Sequence, residues 1–133
     1  MTTTLKKPAT TRDFRVLIAD DSESDRELAA AHLDTRWPVE RAADGLEAIH
    51  KLREGNFSAL ILDWEMPRMG GAEVLRHIRR SDARIAVVIT SGLDRDKIKE
   101  NIEEHAAVYL NKNEMSANTL QYAIHLAVHL LGE

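Results

Sequence analysis

Two adjacent aspartates, Asp20-Asp21, a third at Asp63, the hydroxyl pair Thr90-Ser91 and the ammonium of Lys112 are the side chains that could do chemistry together. Each stands directly after, or one residue beyond, a short apolar run: the acidic pair after RVLIA, Asp63 after ALIL, Thr90 after IAVVI, and Lys112 just past the run ending at Leu110. Taken singly, each has a plain structural role. Asp-Asp ahead of a helix caps it, a lone Asp after a strand makes a turn, and a lone Lys is solvated. Their joint placement at four strand ends carries the functional reading. Carboxylates 4–6 Å apart repel by roughly a few kcal/mol per pair at an effective dielectric near 20. A divalent cation relieves that repulsion, and carboxylate oxygens, a main-chain carbonyl and water suit Mg²⁺ or Mn²⁺. A cation that keeps open positions can hold phosphoryl oxygens, while a lysine and a threonine hydroxyl supply a positive charge and a donor for the rest of the group. Phosphoryl transfer asks for little beyond that alignment and neutralisation.

The elements needed to bring these residues together are legible as a repeating pattern. Strands are expected at Arg15 to Ala19, Val39 to Ala42, Ala59 to Leu62, Ile85 to Ile89 and Ala107 to Leu110, the second an edge strand because Pro38 stands at its start. Helices alternate with them. The first has Leu28, Ala29 and Leu33 on one face and a Ser24/Glu27 capping box; the second opens at Asp44/Glu47 and turns Leu46, Ile49 and Leu52 inward. The third follows Gly70-Gly71 with Val74, Leu75 and Ile78 inward. The fourth, about Arg95 to Glu104, has only Ile98, Ile102 and Ala106 to bury, and the fifth, from about Ser116, carries Leu120, Ile124, Ala127 and Leu131. Such alternation implies right-handed βαβ units and an α/β fold, a doubly wound (βα)₅ parallel sheet. In open parallel sheets, sites form outside the carboxyl ends of the strands, where all these polar residues stand.

Composition narrows the class. A chain of 133 residues, 44% apolar and 30% charged, fits one domain with a core of respectable size. Met1 to Arg12, rich in Thr and Lys without an apolar h-region, is no secretory signal and reads as a short disordered leader to a domain at 13–133. No apolar run approaches the roughly 20 residues that cross a bilayer. The absence of cysteine excludes disulfides and thiolate metal sites and fits the cytoplasm. A formal charge of −4 and few aromatics speak against a nucleic-acid grip, for which Lys6-Lys7 is too small.

Longer stretches carry a resemblance. VLIADDS at Val16–Ser22, ADG at Ala43–Gly45, LILDWEMPRMGG at Leu60–Gly71, VVITSG at Val87–Gly92 and YLNK at Tyr109–Lys112 resemble the receiver domain of two-component response regulators, over about Phe14 to Leu131. The resemblance implies the flavodoxin-like strand order 2-1-3-4-5. It implies Asp63 as the phosphoacceptor, served by the phosphohistidine of a sensor histidine kinase or histidine phosphotransfer protein. It also implies Mg²⁺ held directly by Asp21 and Asp63, mainly through water by Asp20, and by the backbone carbonyl of Glu65. Thr90 would hydrogen-bond a phosphoryl oxygen, Lys112 would pair with the acyl phosphate, and Tyr109 would turn inward as an aromatic switch. The face of the fourth helix, fifth strand and fifth helix would pass the signal to an output partner or to an output domain beyond this chain. The thin apolar stripe of the fourth helix agrees, since movable elements are thinly packed.

Three departures from the family pattern bear on mechanism. Members usually have Lys-Pro with a cis bond where this chain has Lys112-Asn113. A non-proline cis bond costs about 3 kcal/mol, which favours a loop rebuilt as trans with an altered approach for Lys112. His105 stands where many members have Gly, and is expected to end a helix in left-handed geometry. The Glu65 side chain, two residues past the acceptor, is expected beside the incoming phosphoryl group, where its charge would alter attack by water.

Other features have plainer readings. His125 and His129, spaced i, i+4, lack an acidic or cysteine partner and read as surface rather than metal ligands. Trp37 reads as a packed loop residue, Trp64 as a rim residue shaping kinase docking, and Met66 and Met69 as packing around Pro67. Leu126, Val128 and Leu130 beside the core stripe give the last helix an excess of apolar surface, hence a partner or homodimer face. Two further classes share the pattern. A metal nuclease would read Asp63-Trp64-Glu65 as D-x-E, against the acidic charge; a flavodoxin-type carrier would need a phosphate loop where this chain is acidic. Within the same fold, a receiver that never uses its phosphate remains the alternative.

Overall fold

The apolar runs pair as the alternation requires. In a computed structural model, which describes residues 14–81, 83–93, 95–98 and 105–132, five parallel strands form one sheet in the order β2-β1-β3-β4-β5. They are β1 (Val16–Ala19), β2 (Val39–Ala42), β3 (Ala59–Asp63), β4 (Ala86–Ser91) and β5 (Val108–Asn111). The helices are α1 (Glu23–Ala31), α2 (Gly45–Glu54), α3 (Gly71–Arg80) and α4 (Ala117–Leu130), the last being the fifth helix of the sequence pattern. Of the expected fourth helix, the described part is a 3₁₀ turn, Arg95–Lys97, followed by buried Ile98. Ile102, the Met1 to Arg12 segment and Lys6-Lys7 lie outside the described residues.

Period-two alternation splits the strand side chains between two cores. Leu17, Ala19, Leu60, Leu62, Val87 and Ile89 face α2 and α3, and meet Ile49, Val74, Leu75 and Ile78. Val16, Ile18, Ala59, Ile61, Ala86 and Val88 face α1 and α4, and meet Ala29, Leu33, Leu120, Ile124 and Ala127. The central strands β1, β3 and β4 are buried on both faces, as a sheet covered by helices demands. A fully buried Leu or Ile such as Leu17 or Ile61 stabilises the fold by about 1.5–3 kcal/mol. Trp37 packs as expected, its ring centroid 4.5 Å from that of Phe14.

Local chemistry sets the strand-to-helix turns, with corrections to the sequence reading. Ser22, not Ser24, caps α1: its Oγ accepts from the Asp25 N–H at 3.2 Å. The chain turns into the helix immediately after β1, because the Ser22 N–H donates to Asp20 Oδ1 at 2.9 Å. Glu27 is thereby free of any capping role and grips Arg41 of β2 with both oxygens, at 2.6 and 3.0 Å. Asp44 caps α2 as expected, accepting from the Glu47 N–H at 2.9 Å. Leu28 and Leu46, expected inward, are 50% and 46% exposed, because Ala29 with Leu33 and Ala48 with Ile49 take the buried faces of their helices.

At the far end of the sheet the left-handed position is Ala106 (φ 54°), not His105. The His105 carbonyl instead accepts from Arg79 Nε at 2.9 Å, fixing that turn to α3. No peptide bond among the described residues is cis, so Lys112-Asn113 is trans. Asn113 keeps its N–H, which donates to Asn111 Oδ1 at 2.8 Å and starts a 3₁₀ turn at Lys112–Glu114. A proline there has no such donor.

Candidate functional site

The carboxyl ends of β1, β3, β4 and β5 converge on one rim. Asp20 and Asp21 leave β1, Asp63 ends β3, and Thr90 lies beside Asp63 in the β3–β4 register. Asp20, Asp21 and Asp63 each offer a carboxylate oxygen within 4.8 Å of the others. Asp20, Asp63 and Thr90 are buried, and Asp21 is exposed. Lys112 arrives from the β5 loop with Nζ 3.0 Å from Asp20 Oδ2 and 3.3 Å from Asp63 Oδ1. The trans loop therefore still delivers the lysine to the pocket.

The loop after β3 is held by close backbone approach. The Trp64 N–H donates to the Thr90 carbonyl at 2.9 Å, and the Gly71 N–H to the Trp64 carbonyl at 3.1 Å. A Cβ at Gly71 would lie 2.9 Å from the Asp63 carbonyl, and one at Gly45 would lie 2.1 Å from the Met69 carbonyl. The Gly at each place lets α3 and α2 start hard against the segment carrying Asp63. Arg68 holds the bend between with φ 68° and pairs with Asp44 at 3.0 Å. Trp64, Met66 and Met69 are partly buried against the α2–α3 core, which is the packing expected of the two methionines.

Electrostatics follow from burial. Asp63 is pushed up to about 7, chiefly by desolvation and then by the Asp20 charge, with Lys112 pulling the other way and Glu65 adding to the rise. Asp63 Oδ1 is buried with no hydrogen-bond partner, although the Lys112 ammonium is within ion-pair range. For Lys112, burial opposes the charge, but Asp25, Asp20 and Asp63 together outweigh it and hold the ammonium protonated well above its ordinary range.

Asp25 is the residue that sequence reasoning missed. It lies in the first turn of α1 and accepts a hydrogen bond from Lys112 Nζ at 3.0 Å. Its position, just where an acid favours the helix dipole, concealed a second partner 87 residues away in sequence. Arg26 was also missed; its guanidinium donates to the Asp20 carbonyl at 2.8 Å.

The side chains of Glu65 and Tyr109 have hydrogen bonds of their own. The Glu65 carboxylate accepts from Ser91 Oγ at 2.9 Å, and it lies outside the three-carboxylate cluster. That removes the support for a D-x-E nuclease reading. The Tyr109 hydroxyl donates to the Leu93 carbonyl and accepts from Asn111 Nδ2 at 2.9 Å, which ties β5 to the loop after β4. His125 and His129 are exposed and belong to no ligand cluster among the described residues. A groove of about 420 Å³ between the ends of α2 and α3 is lined by Leu52, Phe57, His77 and Ile85, away from these carboxylates. The chemistry stays with the acidic rim, beside a cavity of about 30 Å³ bounded by Asp20, Asp25, Thr90 and Lys112.

The donor set fits a hard divalent cation: three carboxylates close enough to share one ion, one of them buried with an oxygen left without a hydrogen bond. An acidic rim of this kind on a 2-1-3-4-5 parallel sheet defines a flavodoxin-like domain of the signal-receiver class. The family model for the response regulator receiver domain matches residues 16–125. The chain belongs to that family, the receiver domains of two-component response regulators.

Relatives agree. The chain is 34% identical over 94 residues to a protein-glutamate methylesterase/protein-glutamine glutaminase of Treponema denticola, covering 68% of this chain and 25% of that protein. It is 33% identical over 121 residues to a gliding motility regulatory protein of Myxococcus xanthus, covering 88% of this chain and 15% of that protein. The chain thus spans a quarter or less of these relatives. Among solved structures, the chemotaxis response regulator CheY4 of Vibrio cholerae superposes with a TM-score of 0.76 at 28% identity, covering 86% of this chain and 98% of that one. The receiver domain of the Francisella response regulator 1452 gives 0.78 at 24% identity, covering 88% and 98%, a likeness of fold. Among the described residues no helix is long and apolar enough to cross a membrane.

Proposed function

We propose that this chain is a phosphoryl-accepting receiver with Asp63 as acceptor, served by a sensor histidine kinase or histidine phosphotransfer protein in the cytoplasm. The observation that carries the reading is Asp63 itself. It is a carboxylate 2% exposed, with one oxygen lacking a hydrogen bond, set between two further aspartates and a lysine. A structural aspartate buried so deeply would have its oxygens satisfied.

Asp63 oxygen forms a bond to phosphorus as the donor's P–N bond breaks, and the departing imidazole nitrogen keeps the electron pair. Asp20, Asp21, Asp63 and the Glu65 carbonyl would hold Mg²⁺, with Mn²⁺ as a substitute. The ion, when bound, neutralises phosphoryl charge and favours ionised Asp63. Lys112 pairs with a phosphoryl oxygen and the Thr90 hydroxyl donates to another. Drawing Thr90 toward the phosphoryl group opens space for Tyr109 to exchange its Leu93 contact for an inward position. The signal then leaves through β5, α4 and the segment before β5. The apolar groove of about 360 Å³ between Tyr109, Leu110, Tyr122, Ala123 and Leu126 supports that route, to an output partner or a second copy of the chain. The protein assists its own phosphorylation and dephosphorylation without being a turnover enzyme.

The test is phosphorylation by a cognate-type phosphohistidine donor in the presence of Mg²⁺. Stoichiometric labelling that maps to Asp63 supports the reading, and absence of labelling from several donors supports a phosphorylation-independent interaction module instead.

A further inference from the structure

Lys112 is shared unequally among three carboxylates. Its ammonium hydrogen-bonds Asp25 at 3.0 Å, stands 3.0 Å from Asp20, and stands 3.3 Å from Asp63 without a hydrogen bond to it. Asp25 lies on the α1 side of the pocket, with its backbone fixed by the Ser22 cap. Its side chain is 43% exposed, so the contact is not forced by packing. The lysine reaches it from the rebuilt Lys112–Glu114 turn.

We propose that Asp25 is a positioning residue that holds Lys112 off the acceptor, so that the resting site favours a divalent cation over an anionic phosphoryl donor. The inference rests on the phosphoacceptor reading of Asp63 and deepens it by naming a control on that site. Two consequences follow from charge alone. With Asp25 present, the ammonium directs its hydrogen bond to Asp25 and meets Asp63 Oδ1 only as an ion pair at 3.3 Å, leaving that oxygen without a hydrogen bond for a cation to displace. With Asp25 gone, Lys112 closes on Asp63, competes with the cation, and presents an uncompensated positive charge to a phosphoryl group.

The test uses Asp25→Asn and Asp25→Glu in the full chain, with two readouts. Mg²⁺ alone is titrated against the fluorescence of Trp64, the neighbour of Asp63. Acetyl phosphate is then added at saturating Mg²⁺, and the initial rate of phosphoprotein formation is measured on a Phos-tag gel. A unit charge beside a divalent ion in a water-screened pocket is worth about a factor of 3–10. Asp25→Asn is expected to weaken Mg²⁺ about 3–10-fold and to raise the acetyl phosphate rate about threefold, whereas Asp25→Glu stays near wild type in both. A residue that merely stabilises α1 would not move the two in opposite directions. Unchanged Mg²⁺ affinity in Asp25→Asn, or a fall in both quantities, overturns the proposal. If wild type takes no phosphoryl group, the acceptor reading fails by itself. The Mg²⁺ titration then decides Asp25: weakening in Asp25→Asn with recovery in Asp25→Glu upholds the lysine tether, and equal affinities overturn it.

Discussion

Replacing the acceptor should stabilise the cation-free protein, and only where Asp63 would otherwise be charged. Burial and the neighbouring Asp20 raise Asp63 from 3.8 to about 7 in the folded chain. A carboxylate raised in this way is a liability above its unfolded value. Below about pH 4 both states hold the proton and there is no penalty. Between about pH 4 and 7 the unfolded chain releases the proton while the folded chain keeps it, so stability falls as pH rises, and the loss is complete above 7. Three pKa units correspond to about 4 kcal/mol. Asp63→Asn keeps the shape and removes the charge, but leaves a buried amide short of partners, which offsets about half. The expected gain is about 2 kcal/mol at pH 8, on the order of 6–10 °C in melting temperature for a domain of this size. Urea or thermal denaturation in EDTA at pH 4.5 and pH 8 reads the difference directly. The mutant should be about 1 kcal/mol less stable than wild type at the lower pH, where the amide penalty outweighs the small electrostatic gain. At the higher pH it should be about 2 kcal/mol more stable, the gain there narrowed by Mg²⁺, which binds and stabilises wild type. A gap independent of pH, or a mutant less stable than wild type at pH 8, refutes the electrostatic account.

Other substitutions test the loops. Asn113→Pro removes the N–H that bonds Asn111 and disfavours the helical conformation of Lys112, so urea denaturation should show a loss of about 1–3 kcal/mol. Gly71→Ala forces a Cβ against the Asp63 carbonyl and Trp64; a loss of about 1–3 kcal/mol with altered Trp64 emission is expected. Tyr109→Phe deletes the bond to the Leu93 carbonyl, and should cost about 0.5–1.5 kcal/mol while raising hydrogen exchange in the loop after β4. Glu65→Gln keeps a partner for Ser91 but removes a negative charge and a strong acceptor beside the acceptor loop, so the acyl-phosphate half-life should differ from wild type; equal half-lives would dismiss a role for that charge.

The sheet was legible because strands β1, β3 and β4 are apolar on both faces and four of the strands end in polar residues of distinct type: Asp20, Asp63, Thr90 and Lys112 mark those ends without reference to any contact. The order of the strands came with the receiver resemblance and agrees with the sheet observed. What sequence could not resolve were competitions between near neighbours. Ser22 and Ser24 are both fit to cap α1, and the choice fell to Ser22 because Asp20 had already turned the chain. His105 and Ala106 share one turn, and an Arg79 contact to the His105 carbonyl left the left-handed position to alanine, the less favoured residue. Leu28 fits a helical stripe, yet one residue of rotation puts Ala29 inside and leaves Leu28 over the mouth of the acidic pocket. Asp25 was the largest omission, since a long-range partner leaves no trace in local spacing.

The most direct test of the central claim is incubation with acetyl phosphate or a phosphorylated histidine kinase, in Mg²⁺ or in EDTA, with wild type and Asp63→Asn compared on a Phos-tag gel. A phosphoprotein that requires Mg²⁺, is stable in acid and labile in base, and vanishes in the mutant is the predicted result. Labelling that survives Asp63→Asn, or no labelling of wild type from any donor, would contradict it.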